Sequence, residues 1–224
     1  PFTAVSIGSI AAERYGDLLP QRLTPMHERH KELGARMYEA GLWMRPESYN
    51  QPGETVEQAY VREARAVRTK VGLVDVSTIG KIDIQGPDSA QFLNRIYTNG
   101  FAKLPVGKAR YGLMLREDGF AMDDGTTWRL GENHFLMTTT TANAATVMQQ
   151  MEKMLAVHWP SLRVHLTSVT DQWAAVAVAG SKSRDVLAAC VKGAAIDNEA
   201  RPFLGIVKGE VAGSPVLICS LSFS

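Results

Sequence analysis

Cysteine is scarce in this chain: there are two, Cys190 and Cys219, in 224 residues. Two cysteines make no disulfide framework, and their scarcity suits a reducing cytosol. Each lies in an apolar stretch, at 186–191 and 216–219, so both are expected to be small buried residues. No apolar run approaches the ~20 residues of a membrane span. An excess of one charge is missing too: the formal net charge is +1, which points to neither a nucleic-acid footprint nor an acidic tail. The first residues hold no basic region followed by a long apolar core, so they do not read as a signal peptide. The Gly-x-Gly-x-x-Gly loop, the phosphate loop and the nucleophile elbow are absent as well. His27 and His30 stand one helical turn apart without a third ligand nearby, which suits a half-exposed helix face better than zinc. The chain starts at Pro1 rather than Met and stops at Ser224 directly after an apolar strand. It is expected to be cut from something longer and truncated at its C-terminus, with an exposed sheet edge at 216–223.

What is present is ordinary for a globular domain: 45% hydrophobic and 21% charged residues. Residues 1–23 mix Gly, Ser and Pro and read as a connector arm; 24–224 read as one domain. Thr24 and Pro25 suit the cap and first position of a helix over 26–40 that Gly41 stops. Thr55 and Gln58 form a capping box for a second helix to about Lys70, with Arg62, Glu63, Arg65 and Arg68 on a solvated face. Strands are expected at 71–77 and 79–85. Gly86-Pro87-Asp88 then opens a helix that ends at Tyr97-Thr98-Asn99-Gly100, with Gly100 left-handed. Further strands are expected at 126–130 and 134–140, a helix at 142–157, a strand pair at 164–169 and 173–179, a helix capped by Ser181, and strands at 203–207 and 216–223. Hairpins without strict βα alternation indicate α+β with mainly antiparallel sheets. Gly86-Pro87-Asp88 and Gly180-Ser181-Lys182 take the same place in two strand-helix-strand units, a hint of internal duplication.

Chemistry points to the acidic turn Asp123-Asp124-Gly125. It follows two apolar runs joined by Glu117-Asp118-Gly119, a pattern that predicts a β-hairpin with carboxylates at its exit. Adjacent side chains in extended chain point to opposite faces, so only one of Asp123 and Asp124 faces a given pocket. Such an acid binds an amine or ring N–H, or moves a proton; a solvated turn is the plainer reading. Tyr97, Tyr111, Trp128, Phe203 and Phe223, with Arg110, Arg116 and Arg129, would together suit a flat heteroaromatic ligand with an acidic tail.

Several segments resemble the folate-binding T protein family of the glycine cleavage system. They are Thr24-Pro25-Met26-His27, Gly34-Ala35-Arg36-Met37, Gly72-Leu73-Val74-Asp75-Val76-Ser77, Gly86-Pro87-Asp88, Tyr97-Thr98-Asn99, Gly107-Lys108-Ala109-Arg110-Tyr111, Asp123-Asp124, and Phe203 with Gly209-Glu210-Val211-Ala212-Gly213. Pro1-Phe2-Thr3, Arg110-Tyr111-Gly112-Leu113-Met114 and Phe135-Leu136-Met137-Thr138 resemble, more narrowly, the C-terminal part of the α subunits of heterotetrameric sarcosine oxidases.

The resemblance implies a tetrahydrofolate site that accepts the one-carbon unit released when sarcosine is oxidised. The products would be glycine, hydrogen peroxide and 5,10-methylenetetrahydrofolate. FAD, FMN and NAD would sit elsewhere in the parent oxidoreductase, beside beta, gamma and delta subunits, in the cytoplasm; the fragment alone would be inactive. Asp123 and Asp124 are then the catalytic candidates, and Tyr111, Arg116, Phe203 and Phe223 the folate-binding ones. Departures from the family pattern stand beside the matches. Gly100 occupies the place of the family's catalytic Asp, Arg116 that of a pterin-holding Asn and Phe223 that of a Tyr. The Glu that anchors the ring would fall beyond Ser224. A glycine-cleavage aminomethyltransferase, demethylation of another N-methyl donor such as dimethylglycine, and a structural domain that docks subunits are the alternatives.

Overall fold

The computed structural model describes residues 22–197, 199 and 202–222. All but two residues of the expected connector arm, and Phe223, lie outside the described residues. The chain divides into two compact units, the break falling between Ala64 and Arg65.

In the first unit β1 (Arg22–Leu23) runs parallel to β3 (Trp43–Ser48), and β2 (Arg36–Ala40) pairs antiparallel with β3. The helix expected over 26–40 is cut short: α1 spans His27–Glu32. Gly34, at φ +76°, turns the chain out of it, and the N–H groups of Leu33, Gly34 and Ala35 close on the carbonyls of Arg29, Lys31 and His30. Gly41 serves the β2–β3 turn instead. Met26 holds the N-cap position, and the buried Thr24 hydroxyl has no hydrogen-bond partner among the described residues. His30 is buried, its Nδ1 2.7 Å from the Tyr49 hydroxyl. The Thr55–Gln58 capping box closes as expected, at 2.9 and 3.3 Å, and starts α2 (Val56–Thr69). Arg62 is more ordered than a solvated face requires: it donates to both carboxylate oxygens of Glu54 at 2.8 Å and to the Tyr49 carbonyl at 2.7 Å.

The second unit is built on an antiparallel sheet in the order β6-β7-β8-β5-β9. Its strands are β5 (Gly80–Gln85), β6 (Ala109–Leu115), β7 (Ala121–Gly131), β8 (His134–Thr139) and β9 (His165–Ser168). Helices α3 (Ser89–Ile96) and α4 (Ala144–Lys153) contribute to the core. Alternation sends Ile82, Ile84, Phe135 and Met137 inward, where they form a core with Phe92, Leu93, Val147 and Met151. Each such side chain stabilises by about 1.5–3 kcal/mol through burial.

Two smaller sheets complete the unit. β4 (Gly72–Asp75) pairs with β10 (Val176–Ala179); β11 (Val191–Lys192), β12 (Ile206–Val211) and β13 (Ser214–Cys219) form the other, with α5 (Ser183–Cys190) leading in. Helices on mainly antiparallel sheets make the fold α+β, as expected. β13 is an outer strand, in keeping with the expected edge.

Three further expectations change. β9 and β10 do not pair, because β9 joins β5 while β10 joins β4. Cys190 is exposed, since α5 buries none of its residues. Asp123-Asp124-Gly125 is not a turn but the middle of β7, one continuous strand through Gly131.

The two strand-helix-strand segments enter their helices in the same way. Gly86 (φ +135°) precedes α3 and Gly180 (φ +115°) precedes α5. A Cβ would lie 2.1 Å from the Arg163 carbonyl at Gly86, and 2.5 Å from the Val67 carbonyl at Gly180. Both positions therefore exclude every side chain, by conformation and by space. Gly86→Ala and Gly180→Ala should each cost about 3 kcal/mol or more in chemical denaturation. Gly53→Ala, at φ +78° in open space, should cost only about 1 kcal/mol.

Candidate functional site

The β6–β7 hairpin has two unlike faces. Asp123 lies opposite Met114, on the buried face. Asp124 lies opposite Leu113, and Thr126 opposite Tyr111, on the outer face. Asp124 and Leu113 are exposed there, and Tyr111 is half-buried.

The inner face is closely fitted. Gly112 has no side chain because the Tyr97 ring occupies that space, a Cβ there lying 2.7 Å from Cδ1. Its cross-strand partner Gly125 lies against the Thr138 carbonyl. Tyr97 packs edge-on against Phe101 and donates its hydroxyl to the Met137 sulfur at 2.9 Å. Burial pushes the Tyr97 phenol far above its ordinary range, and the charges of Asp123 and Asp124 add to the rise.

Asp123 is 5% exposed. Its carboxylate accepts the Thr140 N–H at 3.3 Å and the Asn143 amide at 3.2 Å. Burial pushes its carboxyl above the usual range; Thr140 and Asn143 pull it down, and the Asp124 charge raises it again. The Asp124 carboxylate makes no hydrogen bond or ion pair with any described residue.

Beside the outer face lies the loop after α3. The Thr98 N–H bonds to the Leu113 carbonyl at 3.0 Å, and the Leu113 N–H to the Asn99 side chain at 3.2 Å. Arg110 donates to the Gly100 carbonyl. Gly100 is not left-handed as expected, and a Cβ added there meets nothing within 4 Å. Farther along the same free edge of β6 the Ala109 N–H bonds to the Leu204 carbonyl at 2.7 Å, and the Tyr111 hydroxyl donates to the Ser222 carbonyl at 2.6 Å. The Ala109 pairing brings Phe203, 56% exposed, to the flank of the hairpin that carries Tyr111.

The structure thus places Asp124 and Tyr111 on one face, with Phe203 at its flank, and turns Asp123 away. Arg116 is elsewhere, at the hairpin tip, five residues and about 17 Å of strand from Tyr111. There it is paired with Asp118 and set over the Phe120 ring at 5.6 Å. Arg129 is absorbed by structure: it donates to the carbonyls of Leu104 and Glu132 at 2.7 Å, Ala102 at 3.2 Å and Gly131 at 3.4 Å. Sequence reasoning missed Asn99 and Leu113 as parts of the outer face. The glycines at 112 and 125, unusual inside strands, were the available signal.

A model of the GCVT N-terminal domain matches residues 26–224. The chain belongs to that family. It is 47% identical over its whole length to the sarcosine oxidase subunit alpha of Corynebacterium sp. (strain U-96), of which it covers 23%. It is 32% identical to the aminomethyltransferase of Mycobacterium leprae (strain Br4923), over 89% of this chain and 50% of that protein. The glycine cleavage system aminomethyltransferase T of Bartonella henselae has the same fold: TM-score 0.72 at 24% identity, covering 84% of this chain and 48% of that one. The chain therefore spans 23% to 50% of the length of these three proteins.

The residues present fit a folate ring system. An aromatic and an aliphatic side chain, Tyr111 and Leu113, give it an apolar surface. The unpaired Asp124 carboxylate offers acceptors for ring N–H groups.

The Asp123 shift has a pH signature. A carboxyl whose pKa is higher folded than unfolded contributes stability below the unfolded value, and loses that contribution as pH rises through the folded value. Its window opens at the ordinary carboxylate value of about 3.9 and runs upward. Melting curves of wild type and Asp123→Asn across pH 4–7 should diverge in favour of the variant as pH rises; divergence in the other direction would contradict the burial-driven shift.

Proposed function

We propose that this chain is the folate-binding domain of a sarcosine oxidase α-type subunit. It takes up the one-carbon unit from oxidative demethylation of sarcosine and yields 5,10-methylenetetrahydrofolate. The observation that carries this reading is the similarity of the whole of this chain to part of a sarcosine oxidase alpha subunit, joined to an outer hairpin face that sets a carboxylate without a partner among the described residues beside apolar side chains.

In this reading tetrahydrofolate supplies the nucleophilic nitrogen. Asp124 accepts N–H groups of the bound ring and favours positive charge beside it. Tyr111 and Leu113 seat the ring against the strand, and Phe203 flanks it. The Asn99 amide holds the loop to the Leu113 N–H, which keeps that edge of the site in place. The oxidation of sarcosine belongs to a flavin outside this chain, with FAD, FMN, NAD and the beta, gamma and delta subunits in the rest of the enzyme.

The resemblance to aminomethyltransferases asks for an Asp where Gly100 stands. That departure favours capture of a released one-carbon unit, which needs less acid–base help than aminomethyl transfer.

Titration of tetrahydrofolate into the full-length protein should give saturable binding. Asp124→Asn should weaken it about tenfold, the loss of one charge-assisted hydrogen bond. Absence of binding in the wild type would leave the family as a statement of fold alone.

A further inference from the structure

Asp123 and Asp124 are neighbours, and the structure divides their work. The β7–β8 ladder runs from Gly131↔His134 to Thr127↔Met137 and has no backbone pair below Thr127. The lower half of β7, residues 121–126, keeps its backbone pairing to β6 alone. This stretch carries Asp124, and its partner strand carries Leu113 and Tyr111.

Side chains take over where the ladder stops. The Thr126 N–H donates to the Thr138 hydroxyl at 2.9 Å. Asp123 accepts the Thr140 N–H, and the Asn143 amide donates both to Asp123 and, at 3.0 Å, to the Met122 carbonyl. Thr140 and Asn143 lead into α4. The Thr126 bond fastens the two-stranded ribbon to the end of β8, and the bonds of Asp123 and Met122 fasten it to the start of a helix that the core already fixes.

We propose that Asp123 is a positioning residue: its side chain, as a hydrogen-bond acceptor, clasps the lower half of the hairpin to the start of α4 and so presents Asp124 to the ligand. The inference rests on the reading of Asp124 as the ligand's carboxylate. It assigns Asp123 no contact with the ligand and no need of a charge. An amide oxygen at the same place keeps the acceptor, whereas a methyl group takes it from the Thr140 N–H and leaves the Asn143 amide only its bond to the Met122 carbonyl.

Two measurements on the full-length protein test this. The first is amide hydrogen exchange without ligand. Asp123→Ala should speed exchange at least tenfold across residues 111–126 while residues 80–85 stay protected; Asn143→Ala should do so more weakly; Asp123→Asn should match wild type. The second is titration of 5-formyltetrahydrofolate. Asp123→Asn should bind within about twofold of wild type, and Asp123→Ala should bind at least tenfold more weakly. Adding Asp123→Ala to Asp124→Asn should cost little further, because the two losses are not additive when one residue acts through the other.

Unchanged exchange in Asp123→Ala would overturn the clasp. An Asp123→Asn variant as impaired as Asp124→Asn would show that a charge is needed at 123, and would overturn it equally. A wild type that binds no folate would overturn the proposed function instead, and the exchange measurement would still decide the clasp.

Discussion

The second unit depends on one buried ammonium group. Lys81 is 3% exposed, and its Nζ donates to the carbonyls of Ser77 at 2.9 Å and of Ile79 and Thr170 at 3.1 Å. Its backbone N–H bonds to the Thr170 hydroxyl. A charge taken out of water is tolerated only when its hydrogen-bonding capacity is met, and here backbone oxygens from two distant stretches meet it. The two stretches are the turn between β4 and β5 and the turn between β9 and β10. Lys81 thus ties together the two turns at which the small β4/β10 sheet departs from the five-stranded one. In the large sheet β8 holds the middle, β5 lies between β8 and β9, and the β6–β7 hairpin extends the other side.

Much of this was legible because it is local. The Thr55–Gln58 capping box is written in two residues three apart, and the structure closes it. Gly86-Pro87-Asp88 announces a helix start whichever strand precedes it. The hairpin follows from two apolar runs around Glu117-Asp118-Gly119. What was not legible depends on distant partners. Gly34 ends α1 where helical spacing seemed to continue, because a left-handed glycine outweighs a few well-placed apolar residues. Asp123-Asp124-Gly125 has the composition of a turn, yet it lies in mid-strand because β6 supplies its pairing.

The candidate site was half legible for the same reason. Period-two alternation separates Asp123 from Asp124 but does not say which faces inward. That is decided by Met114, Tyr97 and Thr140, none of them adjacent in sequence. Arginine was the least legible residue type. Arg116 closes on Asp118 and Arg129 on four carbonyls, so two cations that composition would lend to an anionic ligand are engaged by the protein itself. A long flexible donor finds the nearest backbone oxygens once the chain has folded, and no pattern in the sequence marks where those will be.

The facing glycines of the hairpin carry a consequence for how this domain can change. Gly112 and Gly125 hand the whole inner surface to Tyr97 and the backbone at Thr138, so the geometry of the ribbon is set from beneath. The outer positions 113 and 124 bear none of that packing. Selection, or an engineer, can rewrite them for a different ligand without renegotiating the fold, while the same freedom is denied one residue away on either strand.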